Sequence, residues 1–258
     1  MPATLPTGLL TILRALTTAA VLVAAWHFAV MAFRPEPFIL PGPAKVFNAL
    51  IQDFDYLRGH ALVTLSEIVL GLIVGTLLGV STALLVASWG FARRWVLPLL
   101  VMSQALPVFA IAPLLVVWFG YGLGSKIVMT TIIIFFPITS AFQDGLRRTD
   151  PGLLDLARLA RASRIQTLHL LRIPSALPAL ASGLRVAVAA APIGAVVGEW
   201  VGASAGLGYV MLHANARSQV DLVFAALLIL GLMAALLWFT VDAMLTRLVP
   251  WSTERRLV

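Results

Sequence analysis

Apolar residues occur along the chain in six long stretches separated by shorter polar segments. The stretches are 16 to 25 residues long, and at a rise of ~1.5 Å per residue this is close to the ~30 Å of hydrocarbon that a span must cross, so the pattern predicts six transmembrane helices. We expect an all-α integral membrane protein with one transmembrane domain over residues 1–258, whose core spans lie between about residues 60 and 245. The stretches run from about Leu16 to Phe33, Val63 to Ala87, Trp95 to Phe119, Ile127 to Phe142, Ala176 to Val197 and Leu222 to Leu245.

The first stretch has a second interpretation as a secretory signal peptide. Its only preceding positive residue is Arg14, and its apolar core is longer than the ~7–15 residues usual for such a signal. These features favour a retained first span.

The composition is that of a membrane protein. Hydrophobic residues make up 60% of the chain, charged residues 11%, and the mean hydropathy is +0.99. Soluble domains carry about 25% charged residues. A soluble fold of 258 residues must expose much of its surface to water and has no means of hiding this much apolar surface, whereas a bilayer accommodates it.

The net charge of +7 reflects the distribution of basic residues among the connections. Connections rich in lysine and arginine are cytoplasmic by the positive-inside rule, which places both termini in the cytoplasm and requires no nucleic-acid partner. The predicted cytoplasmic set is Arg14, Arg93, Arg94, Arg147, Arg148, Arg158, Arg161, Arg164, Arg172, Arg247, Arg255 and Arg256; the outer set is Arg34, Lys45, Arg58, Lys126 and Arg217.

Two connections are long. Residues 34–60 lie outside in this topology, begin with proline-rich clusters that exclude a helix interior, and contain one possible surface helix between Ala44 and Tyr56. Residues 143–174 lie inside and combine arginines with leucines and alanines.

Motifs for covalent chemistry are missing from the sequence. It contains no cysteine, no GxxxxGK[ST] phosphate loop, no GxSxG elbow and no HExxH spacing among its four histidines. The aspartates fall outside the predicted spans or at their ends, which argues against an intramembrane protease. We therefore expect no catalytic residue, no metal site and no cofactor on this chain.

Three features of the spans suggest packing or a polar path. Gly71, Gly75 and Gly79 lie on one helix face and favour a close helix–helix contact, although glycine is also common in spans. Gln104 precedes Pro107 in a proline-rich span. A bend of this helix either contributes to a polar path, which Gln104 would help to line, or has only a role in helix packing. Arg185 and Glu199, near opposite ends of the fifth stretch, either face a polar path or extend to the interface.

The cytoplasmic segment predicts two short amphipathic helices. Leucine and isoleucine recur at helical spacing from Leu153 to Ile173. Ser163 is a suitable N-cap for the second helix, with Gln166 as its capping-box partner, and Pro174 is expected to end that helix. Such a hairpin either lies in the headgroup region or docks into a groove on a soluble partner.

This segment resembles the EAA loop of the permease subunits of binding-protein-dependent ABC importers, EAA-x3-G-x9-I-x-L-P. The spacing is kept, but arginine replaces the glycine that occupies the turn between the two coupling helices. A left-handed conformation at Arg161 would cost about 1 kcal/mol, unless the turn moves toward Ala162 and Ser163. The matching positions are Asp155, Leu156, Ala157, Arg161, Leu171, Ile173 and Pro174.

Flanking segments also resemble this family, in the branch for aliphatic sulfonates, taurine, nitrate and pyrimidine precursors of thiamine. The similarity is weakest before Phe38. The segments most similar to the hydroxymethylpyrimidine permeases are Gly206–Arg217, Asp221–Ala225 and Leu248–Trp251. The other segments that match the branch are Leu40–Pro43, Ala112–Leu114, Trp118–Gly120, Ser175–Pro178, Gly183–Arg185 and Gly198–Trp200.

The resemblance implies a type I importer permease of a bacterial cytoplasmic (inner) membrane. A homodimer would enclose the path, a cytoplasmic ABC ATPase dimer would bind ATP-Mg, and a periplasmic or extracellular solute-binding protein would deliver a small polar organic solute. The expected substrate is a hydroxymethylpyrimidine-type compound, with aliphatic sulfonate, taurine or nitrate as alternatives. The residues expected to contact the ATPase are Asp155, Ala157, Leu159, Ala160, Arg161, Ala162, Ser163, Arg164, Ile165 and Pro174.

Two functions of other classes stay open on the sequence alone. A membrane receptor or scaffold would use the basic loop for docking without transport, and an intramembrane enzyme would need a catalytic group that the motifs do not supply. A polar path through the spans distinguishes the transporter from the scaffold.

Overall fold

The computed structural model describes residues 7–103 and 107–251 of the 258-residue chain. The regular structure of this part is helical throughout, without a strand, which confirms the predicted fold class. In chain order the elements are α1 (Thr7–Phe33), α2 (Pro43–Gln52), α3 (Phe54–Ser88), α4 (Gly90–Ser103), α5 (Val108–Phe119), α6 (Leu123–Arg147), α7 (Pro151–Leu159), α8 (Arg164–Thr167), a π-helical turn (Leu168–Arg172), α9 (Ile173–Gly202), α10 (Leu207–Ala216) and α11 (Val220–Leu248).

The described residues form two compact units. Unit 1 contains residues 7–58 and 210–228, and unit 2 contains residues 59–103, 107–209 and 229–251. The expectation of one transmembrane domain over the whole chain stays a prediction.

Four helical segments of the described chain are long and apolar enough to cross a membrane: α3, α6, the continuous segment Arg164–Gly202, and α11. Helices α4 and α5 meet this criterion only as a pair, bent by 104° at the break between them. The apolar part of α1, Thr17–Phe33, is shorter than the other candidates. The described part of the chain therefore has four such helices, or five with the bent pair, where the sequence pattern predicted six.

The predicted span from Trp95 to Phe119 corresponds to two helices of the described chain, α4 and α5, rather than to one continuous helix. Pro107 is the N-cap of α5 and has an extended backbone, with φ −65° and ψ 114°. A new helix therefore begins after this residue, because proline lacks the N–H that would continue a helical hydrogen-bond ladder. Pro98 and Pro113 are accommodated inside α4 and α5.

Unit 1 contains the predicted surface helix as α2, with Pro43 in its first turn, where a missing N–H costs little. This helix ends at Gln52, and α3 begins at Phe54 rather than at the predicted Val63. Trp26 of α1 stacks on Phe224 with a centroid separation of 5.7 Å. The early start of α3 was missed because its first turns carry polar residues.

The core of unit 2 depends on small residues that let α3, α6 and α9 approach closely. The predicted glycine face of α3 lies against α6, in the facing pairs Gly71–Thr130, Gly75–Ile134 and Gly79–Ile138. A methyl group on Gly71 would lie only 2.5 Å from Thr130 Cγ2, and one on Gly194 of α9 would lie 2.6 Å from Thr130 Cα. Both distances are well below the ~3.5–4.0 Å optimum for carbon contacts. Thr130 thus lies between glycines of two neighbouring helices.

The turn between α7 and α8 has a left-handed residue, Arg161, at its centre. Arg161 has φ 51°, the left-handed conformation that the family comparison with glycine suggested. Ala162 N–H donates to Ala157 O at 2.9 Å and Arg161 N–H donates to Arg158 O at 3.0 Å, which is the Schellman pattern of helix ends. The turn therefore keeps the position of the family glycine and is not displaced toward Ser163.

Helix α8 begins as the sequence predicted. Gln166 N–H donates to Ser163 Oγ at 3.2 Å, and Ser163 N–H donates to Gln166 Oε1 at 2.8 Å, so the capping box is confirmed. The predicted helix end at Pro174 is wrong. This residue lies in the first turn of α9, after a π-helical turn that keeps the chain helical from Arg164 to Gly202. A π turn is wider than an α turn, which leaves room for the proline ring.

We expect Arg161→Gly to stabilise the protein. A left-handed φ costs a non-glycine residue about 1 kcal/mol, which corresponds to a rise of roughly 2–4 °C in the thermal unfolding midpoint of a protein of this size. The matched control is Ala160→Gly, because Ala160 has an ordinary φ of −75° and gains nothing from glycine. Melting of the purified variants in detergent measures both, and an Arg161→Gly midpoint at or below that of the natural protein would contradict the prediction.

Candidate functional site

The EAA-like segment (residues 155–174) presents apolar side chains on both sides of the turn at Arg161. Leu159 is 82% exposed and Ile165 is 72% exposed. Ala160, Ser163 and Arg164 are also exposed, Ala162 is half-buried, and Ala157 is buried. The exposed apolar side chains lie on a basic segment, where a partner surface would remove them from water.

The basic groups of the segment outnumber its acidic groups. Asp155 Oδ1 accepts a hydrogen bond of 2.8 Å from Arg158 Nη1 one turn away, so this carboxylate is already paired locally. Arg158, Arg164 and Arg172 line a cavity of about 840 Å³. Arg172 also donates from Nε and Nη2 to Leu146 O, at 3.1 and 2.9 Å. The surface around the turn is therefore positive and suits an acidic partner group.

One predicted path residue, Arg185, forms an ion pair between two helices. Arg185 Nε of α9 donates to Asp242 Oδ1 of α11 at 2.6 Å, and the two side chains are 23% and 33% exposed. Arg185 is thus held in an ion pair within unit 2 and does not extend alone to an interface. Gln104 lies outside the described residues.

The third path candidate, Glu199, is buried near the end of α9 that lies furthest from the EAA-like segment. Its side chain is 1% exposed, and its Oε1 accepts a hydrogen bond of 2.6 Å from Thr64 Oγ1. Its Oε2 accepts hydrogen bonds from Gly208 N–H and, at 3.3 Å, from Tyr209 N–H, both in the first turn of α10. A carboxylate at a helix N-terminus receives N–H groups that lack a partner within the helix.

The same turn is attached to one face of α3. Leu207 N–H donates to Thr64 Oγ1 at 2.8 Å, and Gly206 N–H donates to His60 Nδ1 at 2.9 Å. Glu67 follows on the same face and is 2% exposed. Thr64 and Glu67 were not among the residues predicted from the sequence. Their spacing of four and then three residues after His60 does place the three polar side chains on one face of an apolar helix, which is a recognisable signal.

Glycine is required where this turn passes Glu199. Gly206 has φ +115°, and a Cβ at this position would overlap the Glu199 carboxyl group. A Cβ on Gly208 would lie 2.7 Å from Glu199 Oε2. The backbone of residues 206–209 therefore wraps closely around the Glu199 carboxylate. We call residues 206–209 the Glu199 turn.

Lys126 is a second buried charge of unit 2. The sequence pattern placed it in an outer connection, but it lies in the first turn of α6 and is 1% exposed. Its Nζ donates to Tyr121 O at 2.5 Å and to Gly202 O at the C-terminal end of α9. A cation at a helix C-terminus is stabilised by the carbonyl groups that lack a helical partner there.

Unit 1 contains a separate polar cavity of about 460 Å³. Asp53, His213, Arg217 and Asp221 contribute charged or titratable groups to its lining, and Tyr56 adds a phenolic hydroxyl. Both signs of charge and several hydrogen-bonding groups are therefore available on this unit.

Comparisons with known proteins identify the family of this chain. Residues 71–253 match the family model described as the binding-protein-dependent transport system inner membrane component. A probable ABC transporter permease protein of Haemophilus influenzae is 52% identical over 241 residues, covering 93% of this chain and 98% of that protein. The formylaminopyrimidine transport permease protein ThiX of Halalkalibacterium halodurans is 38% identical, covering 85% of this chain and 88% of that protein.

A solved structure shares the fold. The MetNI methionine ABC transporter, in an inward-facing conformation, contains a chain that aligns with a TM-score of 0.64 at 21% identity, covering 75% of this chain and 95% of that one. The family model spans well over half of the sequence, and the Haemophilus relative is similar over nearly its whole length. The chain therefore belongs to the family of binding-protein-dependent transport system inner membrane components, the permeases of ABC importers.

Proposed function

We propose that two copies of this chain enclose the translocation path of an importer whose ATP is bound and hydrolysed by a separate ATPase dimer. A solute-binding protein delivers the substrate to the outer mouth. Family membership supports the presence of both partners, and the chain itself lacks a phosphate loop.

The observation that carries this proposal is the pair of exposed apolar side chains around the turn at Arg161. Burying Leu159 and Ile165 in a groove on the ATPase would contribute roughly 1.5–3 kcal/mol each if they became fully buried. Arg164 and the basic cavity beside it orient the contact toward acidic groups of the partner.

The same segment is built to transmit movement. The Schellman turn and the capping box hold α7 and α8 in one geometry, so displacement of one helix moves the other. From Arg164 the chain is continuously helical to Gly202, a segment of 39 residues and about 58 Å at 1.5 Å per residue. A push at the ATPase contact therefore reaches the Glu199 turn through one helical segment.

The charge distribution supports one orientation in the membrane. We infer that the EAA-like segment and both termini are cytoplasmic and that residues 34–60 lie outside, because the basic residues concentrate in the first set of connections. The membrane is then the cytoplasmic membrane of a bacterium, which is where ATP and the ATPase are available on the inner side.

For the substrate, we infer a hydroxymethylpyrimidine-type precursor of thiamine. Its support is the similarity to a permease named for formylaminopyrimidine transport, at 38% identity over most of both chains. Aliphatic sulfonate, taurine and nitrate are the alternatives within the same branch. The scaffold hypothesis, which involves no transport, has lost its support because the family is one of transport components.

The orientation predicts which introduced thiols an impermeant reagent can reach. The natural chain has no cysteine, so Leu159→Cys and Ile39→Cys each create a single exposed site. In intact cells or spheroplasts we expect labelling of Ile39→Cys and protection of Leu159→Cys until the membrane is permeabilised. Labelling of Leu159→Cys in intact cells would falsify the orientation.

The docking contact predicts loss of the ATPase from an Ile165→Glu variant. An unpaired carboxylate in a desolvated contact costs several kcal/mol, so co-purification of the ATPase should fall by roughly tenfold or more, and substrate uptake should fall with it. Ile165 is exposed, so the membrane fold should survive. The matched control is Ile39→Glu, another exposed isoleucine outside the candidate spans, which should retain the ATPase. Normal ATPase recovery and uptake by a well-inserted Ile165→Glu protein would refute this role.

The substrate proposal predicts competition among candidate solutes. Cells or proteoliposomes with the permease, its ATPase and its binding protein should accumulate labelled hydroxymethylpyrimidine when ATP is present. Excess unlabelled aminopyrimidine should suppress this uptake, and excess taurine, aliphatic sulfonate or nitrate should not. ATP-dependent accumulation of taurine without pyrimidine uptake would assign the alternative substrate class.

A further inference from the structure

The carboxyl groups of Glu67 and Glu199 contact each other inside unit 2. They come from different helices, α3 and α9, and the residues are 2% and 1% exposed. Two carboxylates in contact in a buried site repel each other too strongly for both to stay ionised, and such pairs share one proton. The geometry therefore calls for a proton as the third component of the pair.

The hydrogen-bond donors identify which residue holds that proton. Glu199 accepts hydrogen bonds from Thr64 Oγ1, Gly208 N–H and Tyr209 N–H, which together suit a charged carboxylate. Glu67 Oε2 is buried, and no group of the described residues donates to it. An unpaired carboxylate oxygen in such a site is far more costly than the unpaired carbonyl oxygen of a neutral acid.

The neighbouring basic groups do not replace the proton. Lys126 directs its hydrogen bonds to the carbonyl groups of Tyr121 and Gly202, and it forms no salt bridge within the described parts of the chain. His60 accepts a hydrogen bond from Gly206 at Nδ1, so in this arrangement its ring is the neutral tautomer with the hydrogen on Nε2. Two carboxylates and one ammonium leave one negative charge, which one proton cancels.

We propose that Glu67 and Glu199 form a proton-binding pair, in which Glu67 is the carboxylic acid and donates its O–H to the Glu199 carboxylate. The Glu199 carboxylate then has four donors, and the three buried side chains are neutral as a set. This pair connects α3 to α9 beside the Glu199 turn, at the end of the unit furthest from the EAA-like segment.

The test compares Glu67→Gln with Glu199→Gln in the purified full-length protein. Glutamine copies the shape of a carboxylic acid and still donates a hydrogen bond, so Glu67→Gln should fold and keep the thermal midpoint of the natural protein. At Glu199 the same exchange removes the charge that the two N–H groups of α10 and Thr64 hold, so its midpoint should fall by several degrees. Equal loss of stability in both variants, or failure of Glu67→Gln alone to fold, would overturn the proposal.

Infrared spectroscopy reads the proton directly and does not depend on transport activity. The natural protein should show the carbonyl-stretch band of a buried protonated carboxyl group, resistant to exchange in deuterated buffer, and Glu67→Gln should lack that band. A spectrum without such a band, or one that Glu67→Gln leaves unchanged, would show that the pair holds no proton on Glu67. Because neither measurement involves the ATPase or a substrate, failure here leaves the proposed function untouched.

Discussion

Thr130 of α6 lies between Gly71 of α3 and Gly194 of α9, and a single added methyl group on either glycine would overlap it. This close approach extends along both helix pairs. Gly79 faces Ile138 further along α3, and Gly145 of α6 faces Ala179 of α9. In a bilayer the lipid tails are as apolar as leucine, so helix association depends on such van der Waals contact rather than on removing apolar surface from water.

The clustering of buried polar residues in unit 2 is a consequence of that packing. Thr64, Lys126 and Glu199 belong to three different helices, α3, α6 and α9, and become neighbours only because the glycine faces bring those helices together. Burying a charge without partners would cost more free energy than helix packing contributes. Lys126 and Glu199 therefore each form hydrogen bonds with backbone groups at a helix end. Lys126 takes carbonyls where α9 ends, and Glu199 takes N–H groups where α10 begins.

The opposite end of α9 has a different physical character. There the chain leaves the apolar core as a turn with a strained arginine, capped helices and exposed leucine and isoleucine side chains. Strain of about 1 kcal/mol at Arg161 is tolerated because the Schellman hydrogen bonds and the capping box determine the backbone around it. The π-helical turn then carries the helix past Pro174 without a break, which joins this surface mechanically to the core.

The sequence by itself determined the features that depend on neighbouring residues. Apolar runs set the helices, the glycine spacing marked one face of α3, and Ser163 with Gln166 specified the capping box, because helix periodicity and caps involve residues within a few positions of each other. The motif spacing around Arg161 also identified the family. Only the tertiary structure decided the surroundings of the charged side chains. Lys126 was assigned to a connection and is buried, and Glu199, a predicted path residue, accepts a hydrogen bond from Thr64, which is 135 positions away in the chain. No local pattern encodes such a pairing, since it exists only after three separate helices have packed together.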